Sequence, residues 1–208
     1  MQSKESALII VDVQNDFLPN GALAVHDGDQ VIPIINKLQK EFQFIVATQD
    51  FHPADHGSFA ANHSGKKISE FVTLGGLNQI LWPVHCVQGT FGAEFHKDLN
   101  QDNWKAVFQK GKNKEVDSYS GFFDNARKES TGLADYLMKE RIKKVYITGL
   151  ALDYCVKFTA LDAHSLGFET YLIVDSSRAV NIDPMDGDFA IEEMAKQGIK
   201  IINSQEIL

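Results

Sequence analysis

The sequence predicts a doubly wound α/β domain: a mostly parallel six-stranded sheet with helices on both faces. Three observations carry that expectation. Six short apolar runs recur along the 208 residues, helical patterns fall between most of them, and neither an internal repeat nor a Gly/Ser linker divides the chain. Strand and helix in alternation favour parallel pairing, because each crossover helix carries the chain back before the next strand begins. A single domain over residues 1–208 is the economical expectation.

The elements follow in order. Residues 7–13 open with Ala-Leu-Ile-Ile-Val, a continuous apolar run of the kind a strand covered on both faces needs. Val31, Ile34, Ile35, Leu38 and Phe42 repeat at intervals of three and four, which predicts a helix with Pro33 confined to its first turn. Further strands are expected at 44–48, 106–108, 144–148, 169–174 and 200–202. Ser130 or Thr131 is placed to cap a helix carrying Leu133 and Leu137, and Asp153 to cap another that Gly167 stops. A last helix is expected over 189–197, ended by Gly198. Residues 50–103 break this rhythm. The stretch is far longer than an ordinary connection and rich in glycine and histidine, and long loops in compact domains are usually functional.

Composition removes several classes. Lys plus Arg number 20 against 28 Asp plus Glu, a formal charge of −8, so a clustered basic surface for nucleic acid is not expected. With 44% hydrophobic and 23% charged residues the chain is neither disordered nor low in complexity. No window approaches the ~18 apolar residues of a membrane span. Residues 1–6 lack the basic start and apolar stretch of a secretory signal, so a cytosolic setting with reduced Cys86 and Cys155 is expected.

In such sheets ligands bind beyond the carboxyl ends of the strands. The predicted strands deliver Asp12, then Asp50 and His52, then Lys110, and then a Gly149-Leu-Ala-Leu-Asp-Tyr-Cys155 turn entering a helix. Cys155 at a helix start, near an ammonium, fits a thiolate nucleophile; its ordinary alternative is a small buried hydrophobe. Asp12 closes an apolar strand, where a carboxylate is costly unless paired or catalytic, and Asp16 fits a turn-forming role better. Lys110 follows Val107 and Phe108, whereas Lys112 and Lys114 read as solvated surface. Asp50 and His52 project to one side, His56 returns after Pro53, and His85 follows Trp82-Pro-Val. One oxygen and three nitrogens suit one borderline divalent ion, Zn²⁺ first, Fe²⁺ or Mn²⁺ otherwise. His63 is a rival ligand from the same loop, and Cys86 reads as packing.

These residues stand in segments that resemble the nicotinamidases of the isochorismatase-like cysteine hydrolase family. The segments are Ile9-Ile-Val-Asp12-Val-Gln-Asn-Asp-Phe17, Ala47-Thr-Gln-Asp50-Phe-His52, Trp82-Pro-Val-His85-Cys86, Phe108-Gln-Lys110-Gly, Tyr119-Ser-Gly-Phe122 and Gly149-Leu-Ala-Leu-Asp-Tyr-Cys155-Val. The resemblance implies Asp12, Lys110 and Cys155 as catalytic triad and Asp50, His52, His56 and His85 as metal ligands. It implies hydrolysis of nicotinamide, and of pyrazinamide-like amides, through a thioester. It also implies an oxyanion site at the backbone N–H groups of Ala151 and Cys155, with a cis Leu150–Ala151 peptide. Phe17, Leu23, Trp82, Tyr119 and Leu150 resemble the residues that hold the ring. Residues 60–81 carry no motif of the family. A related amidase or an isochorismatase-type hydrolase is the alternative within the family. Outside it stand a hydrolase whose metal activates water directly and a thiol sensor pairing Cys86 with Cys155.

Overall fold

The molecule is seen in a computed structural model, which describes residues 2–208. Strands β1 (Ser6–Val11), β2 (Ile45–Asp50), β5 (Ala106–Lys110), β6 (Lys144–Leu150), β7 (Glu169–Arg178) and β8 (Lys200–Ile202) form one sheet in the order β5-β2-β1-β6-β7-β8. Every neighbouring pair in it is parallel. The continuous apolar run of β1 is explained by its central place. Ala7, Ile9 and Val11 pack on one face with residues of α2 (Leu133–Lys139), α3 (Lys157–Ser165) and α4 (Asp186–Lys196). Leu8 and Ile10 pack on the other with Val31, Ile32, Ile35 and Leu38 of α1 (Val31–Leu38). Among the described residues no helix is long and apolar enough to cross a membrane.

Several boundaries differ from the sequence reading. β2 and β5 run on through polar residues, since the ladder that pairs Gln49 with Gln109 and Asp50 with Lys110 continues where the apolar pattern stops. The helix ending at Leu38 passes into a 3-10 turn, and Phe42 is extended. Residues 71–80, which the sequence reading left without an element, form an antiparallel hairpin of β3 (Phe71–Leu74) and β4 (Leu77–Ile80). Its turn places Gly75 and Gly76 at φ +60° and +85°, the left-handed pair that a tight two-residue hairpin demands. Thr131 does hold the Leu133 N–H, at 3.2 Å. Asp153 does not cap α3. It lies inside a π-helical turn, Leu152–Val156, and its carboxylate accepts the N–H groups of Val180 and Asn181 at 2.9 and 2.8 Å.

Candidate active site

Parallel pairing puts the carboxyl ends of β5, β2, β1 and β6 side by side on one rim, which is why residues far apart in sequence converge there. Asp12 follows β1, Asp50 ends β2, Lys110 ends β5, and the chain leaving β6 turns through Ala151 into the π-helical turn that carries Cys155. Asp50 and Lys110 are register partners on adjacent strands. Gly149 is required where β6 passes β1: its φ is +118°, and a Cβ there would lie 2.1 Å from the Val11 carbonyl oxygen. The Leu150–Ala151 peptide is cis, as the resemblance implied.

Lys110 is the hub. Its ammonium donates to Asp50 Oδ1 at 3.0 Å, Ser118 O at 2.9 Å and Cys155 Sγ at 3.3 Å, which engages all three protons. Asp12 Oδ1 accepts the Thr48 hydroxyl at 2.7 Å. Asp12 Oδ2 lies 2.9 Å from the ammonium in an ion pair, yet it receives no aligned hydrogen bond, so it keeps a lone pair free to accept a proton. Asp12 and Lys110 are both fully buried. Burial works against a charged Lys110, but Asp12 and Asp50 outweigh it and hold its pKa well above the ordinary value. Burial raises the Asp12 carboxyl, with Lys110 opposing. It also pushes the Cys155 thiol well above its usual range, and Lys110 opposes that only in part.

The second cluster adjoins the first through Asp50. Its Oδ2 lies 2.9 Å from His52 Nε2 and 3.3 Å from His85 Nε2. His52 Nδ1 bonds the Gly111 carbonyl at 2.8 Å and His85 Nδ1 bonds that of Pro83 at 2.8 Å. A carbonyl only accepts, so both Nδ1 atoms donate there, which turns both Nε2 atoms toward the carboxylate. Burial works against a charged His52, but Asp50 outweighs it and raises its pKa, so without a metal the His52 Nε2 donates to Asp50. His56 differs. Ser58 engages its Nδ1 with a hydroxyl at 2.7 Å and a backbone N–H at 3.2 Å, while its buried Nε2 has no partner. Ligand atoms of Asp50, His52 and His85 lie within 4.8 Å of one another, and those of His52, His56 and Asp117 form a second such group. Burial works against an ionised Asp50, but His52 and Lys110 hold its carboxyl well below the ordinary value. Burial depresses His56, whose pKa falls to about 4. The donor set and the orphaned Nε2 fit a divalent ion.

Two buttresses escaped the sequence reading. The Gln14 amide pairs with both backbone groups of Asp50, at 2.7 and 2.8 Å. Asp16 is more than a turn former: Oδ2 accepts the Cys86 N–H at 2.7 Å and so pins the segment that carries His85.

A narrow cavity of about 20 Å³ opens onto Cys155. Phe17, Leu23, Trp82, Tyr119 and Ala151 line it, as expected, together with Asp50, His52 and His85. Leu150 does not. Its side chain is fully buried in the core on the α1 face, because the strand's alternation turns it away from the cavity. Asp117, Tyr154 and Val180 also line it and were missed; Asp117 stands two residues before the Tyr119 motif, and the others come from segments that meet the site only in three dimensions. His63 bonds Gly57 O and joins neither ligand group. Cys86 and Cys155 are both free thiols, and burial raises Cys86 well above its ordinary pKa.

Comparison with known proteins places the fold. The isochorismatase domain model matches residues 6–206. The nicotinamidase of Escherichia coli K12 is 47% identical over 196 residues, with 92% of each chain covered. The solved Acinetobacter baumanii nicotinamidase/pyrazinamidase superposes with a TM-score of 0.97 at 45% identity over all of both chains. A pyrazinamidase of Pyrococcus horikoshii, solved in complex with zinc, gives a TM-score of 0.77 at 41% identity, covering 96% of this chain and 99% of that one. With a match that runs from β1 to the end of the sheet and past it, the chain belongs to the isochorismatase domain family.

Proposed function

We propose that the chain is a nicotinamidase, hydrolysing nicotinamide to nicotinate and ammonia and accepting pyrazinamide-like amides. The observation that carries the reading is the hub: one ammonium touches the thiol sulfur of Cys155 and lies 2.9 Å from a carboxylate oxygen of Asp12 that has no other hydrogen bond. Asp12 takes the thiol proton as Cys155 Sγ bonds to the amide carbonyl carbon, while Lys110 holds both charges. The N–H groups of Ala151 and Cys155 receive the developing oxyanion. Asp12 returns the proton to the departing nitrogen, the C–N bond breaks, and ammonia leaves a thioester. Water then loses a proton to Asp12, adds to the same carbon and releases nicotinate as the C–S bond breaks and the thiol is restored.

Asp50, His52 and His85, whose ligand atoms stand together, would hold one divalent ion, with His56 assigned to it through its place beside His52; zinc is favoured by the nitrogen-rich donor set and by the zinc-bound relative. When bound, the ion supplies an electrophilic anchor for the ring nitrogen and thereby orients the amide toward Cys155. Phe17, Leu23, Trp82 and Tyr119 line the cavity and give the ring an apolar wall beside Cys155. The setting we assign is nicotinamide salvage toward NAD in the cytoplasm, where buried free thiols stay reduced. Cys155→Ala is expected to abolish ammonia release from nicotinamide with bound metal unchanged, and mass spectrometry of the wild type should trap a nicotinoyl thioester on Cys155. Undiminished turnover by Cys155→Ala would overturn the mechanism.

A further inference from the structure

We propose that Asp117 is a further residue of the metal centre, supplying the second negative charge that a buried divalent ion requires; this rests on the metal reading above. Asp117 is 3% exposed and lines the cavity beside His52. Its ligand oxygen falls within 4.8 Å of nitrogens of His52 and His56. His56, whose buried Nε2 has no partner, belongs to the same group. Asp117 accepts the Ser118 N–H at 2.8 Å on Oδ1 and the Gln79 amide at 3.0 Å on Oδ2. A carboxylate has about four acceptor positions, so two bonds leave it capacity for an ion.

Charge counting points the same way. Asp12 and Asp50 both face Lys110, so of those three buried groups only one negative charge is uncompensated. Among the described residues no cation lies in ion-pair contact with Asp117. With the histidines neutral, as metal ligation requires, the buried cluster carries three carboxylates against one ammonium, a surplus of two negative charges, which a dication cancels. Gln79 comes from β4 of the hairpin, and its amide also donates to the Tyr119 hydroxyl at 2.9 Å. The hairpin thus positions Asp117 against the histidines.

The test compares wild type with Asp117→Asn, Asp117→Glu, Gln79→Ala and His85→Ala, each stripped by chelator and titrated with zinc against a chromophoric competitor. Asp117→Asn is expected to weaken zinc binding by about 10- to 100-fold. Asp117→Glu, which keeps the charge, should stay within a few-fold of wild type, and Gln79→Ala should fall between. Melting curves give a second readout. Removing an uncompensated charge should leave metal-free Asp117→Asn no less stable than metal-free wild type, while its rise in Tm on zinc addition shrinks. Wild-type zinc affinity in Asp117→Asn overturns the proposal, as does a metal-free Asp117→Asn that no longer folds, because that outcome makes the residue structural. Equal zinc affinity in wild type and His85→Ala would instead overturn the metal reading itself, and the role of Asp117 with it.

Discussion

Replacing Lys110 with methionine tests the hub most directly, because it keeps the apolar stem and removes the ammonium. In the wild type that ammonium stands 2.9 Å from Asp12, 3.0 Å from Asp50 and 3.3 Å from the sulfur of Cys155. Deleting one partner of a buried ion pair costs about 3–5 kcal/mol, because an uncompensated charge stays behind. For a chain of this length each kcal/mol moves the midpoint by roughly 2–4 °C, so the metal-free variant should melt about 6–20 °C below metal-free wild type at pH 8. The dependence on pH has a definite sign. Without Lys110, burial raises the Asp12 carboxyl further above its unfolded value. A carboxyl raised on folding contributes stability below its unfolded pKa and loses it as pH rises through the folded pKa. The deficit should therefore be smaller at pH 5 than at pH 8. Calorimetry and urea unfolding at the two pH values measure it, and ammonia release should fall by at least ~10²-fold. A variant melting within about 2 °C of wild type at pH 8 would refute the reasoning, since that is less than one kcal/mol.

Two further outcomes are expected. The acid limb of kcat/KM for nicotinamide should lie above the 3.8 of an ordinary aspartate, because burial raises Asp12, and Asp12→Asn should lose both the limb and most of the rate; a limb at or below 3.8 would contradict this. Gly149→Ala should destabilise the fold by about 2–4 kcal/mol in denaturant unfolding, since the new Cβ meets the Val11 carbonyl at a backbone angle alanine avoids; a loss under about 1 kcal/mol would contradict the clash.

Legibility differed from element to element for physical reasons. The β1 run was readable because a strand covered on both faces has to be apolar throughout. The ends of β2 and β5 were not, since backbone pairing holds Asp50 and Lys110 in the ladder whatever their polarity. The hairpin over residues 71–80 was overlooked although Gly75-Gly76 signals its turn, because its strands alternate weakly and half of their residues face solvent. Leu150 is a pocket residue only by the family resemblance, and the strand's alternation sends it to the core.

The sequence by itself determined which chemical groups were available and in what chain order: an aspartate, a lysine and a cysteine at successive strand ends, and an Asp-X-His pair with two more histidines in a long loop. Tertiary structure decided what those groups are. Only the packing shows that Lys110 engages all its protons elsewhere and leaves Asp12 Oδ2 free, that carbonyl partners turn Nε2 of His52 and His85 toward Asp50 while Ser58 sets His56 apart, and that Asp117 joins them. The reason is that protonation, tautomer and charge balance depend on burial and on partners within about 3 Å, and those partners come from segments of the chain that only the fold brings together.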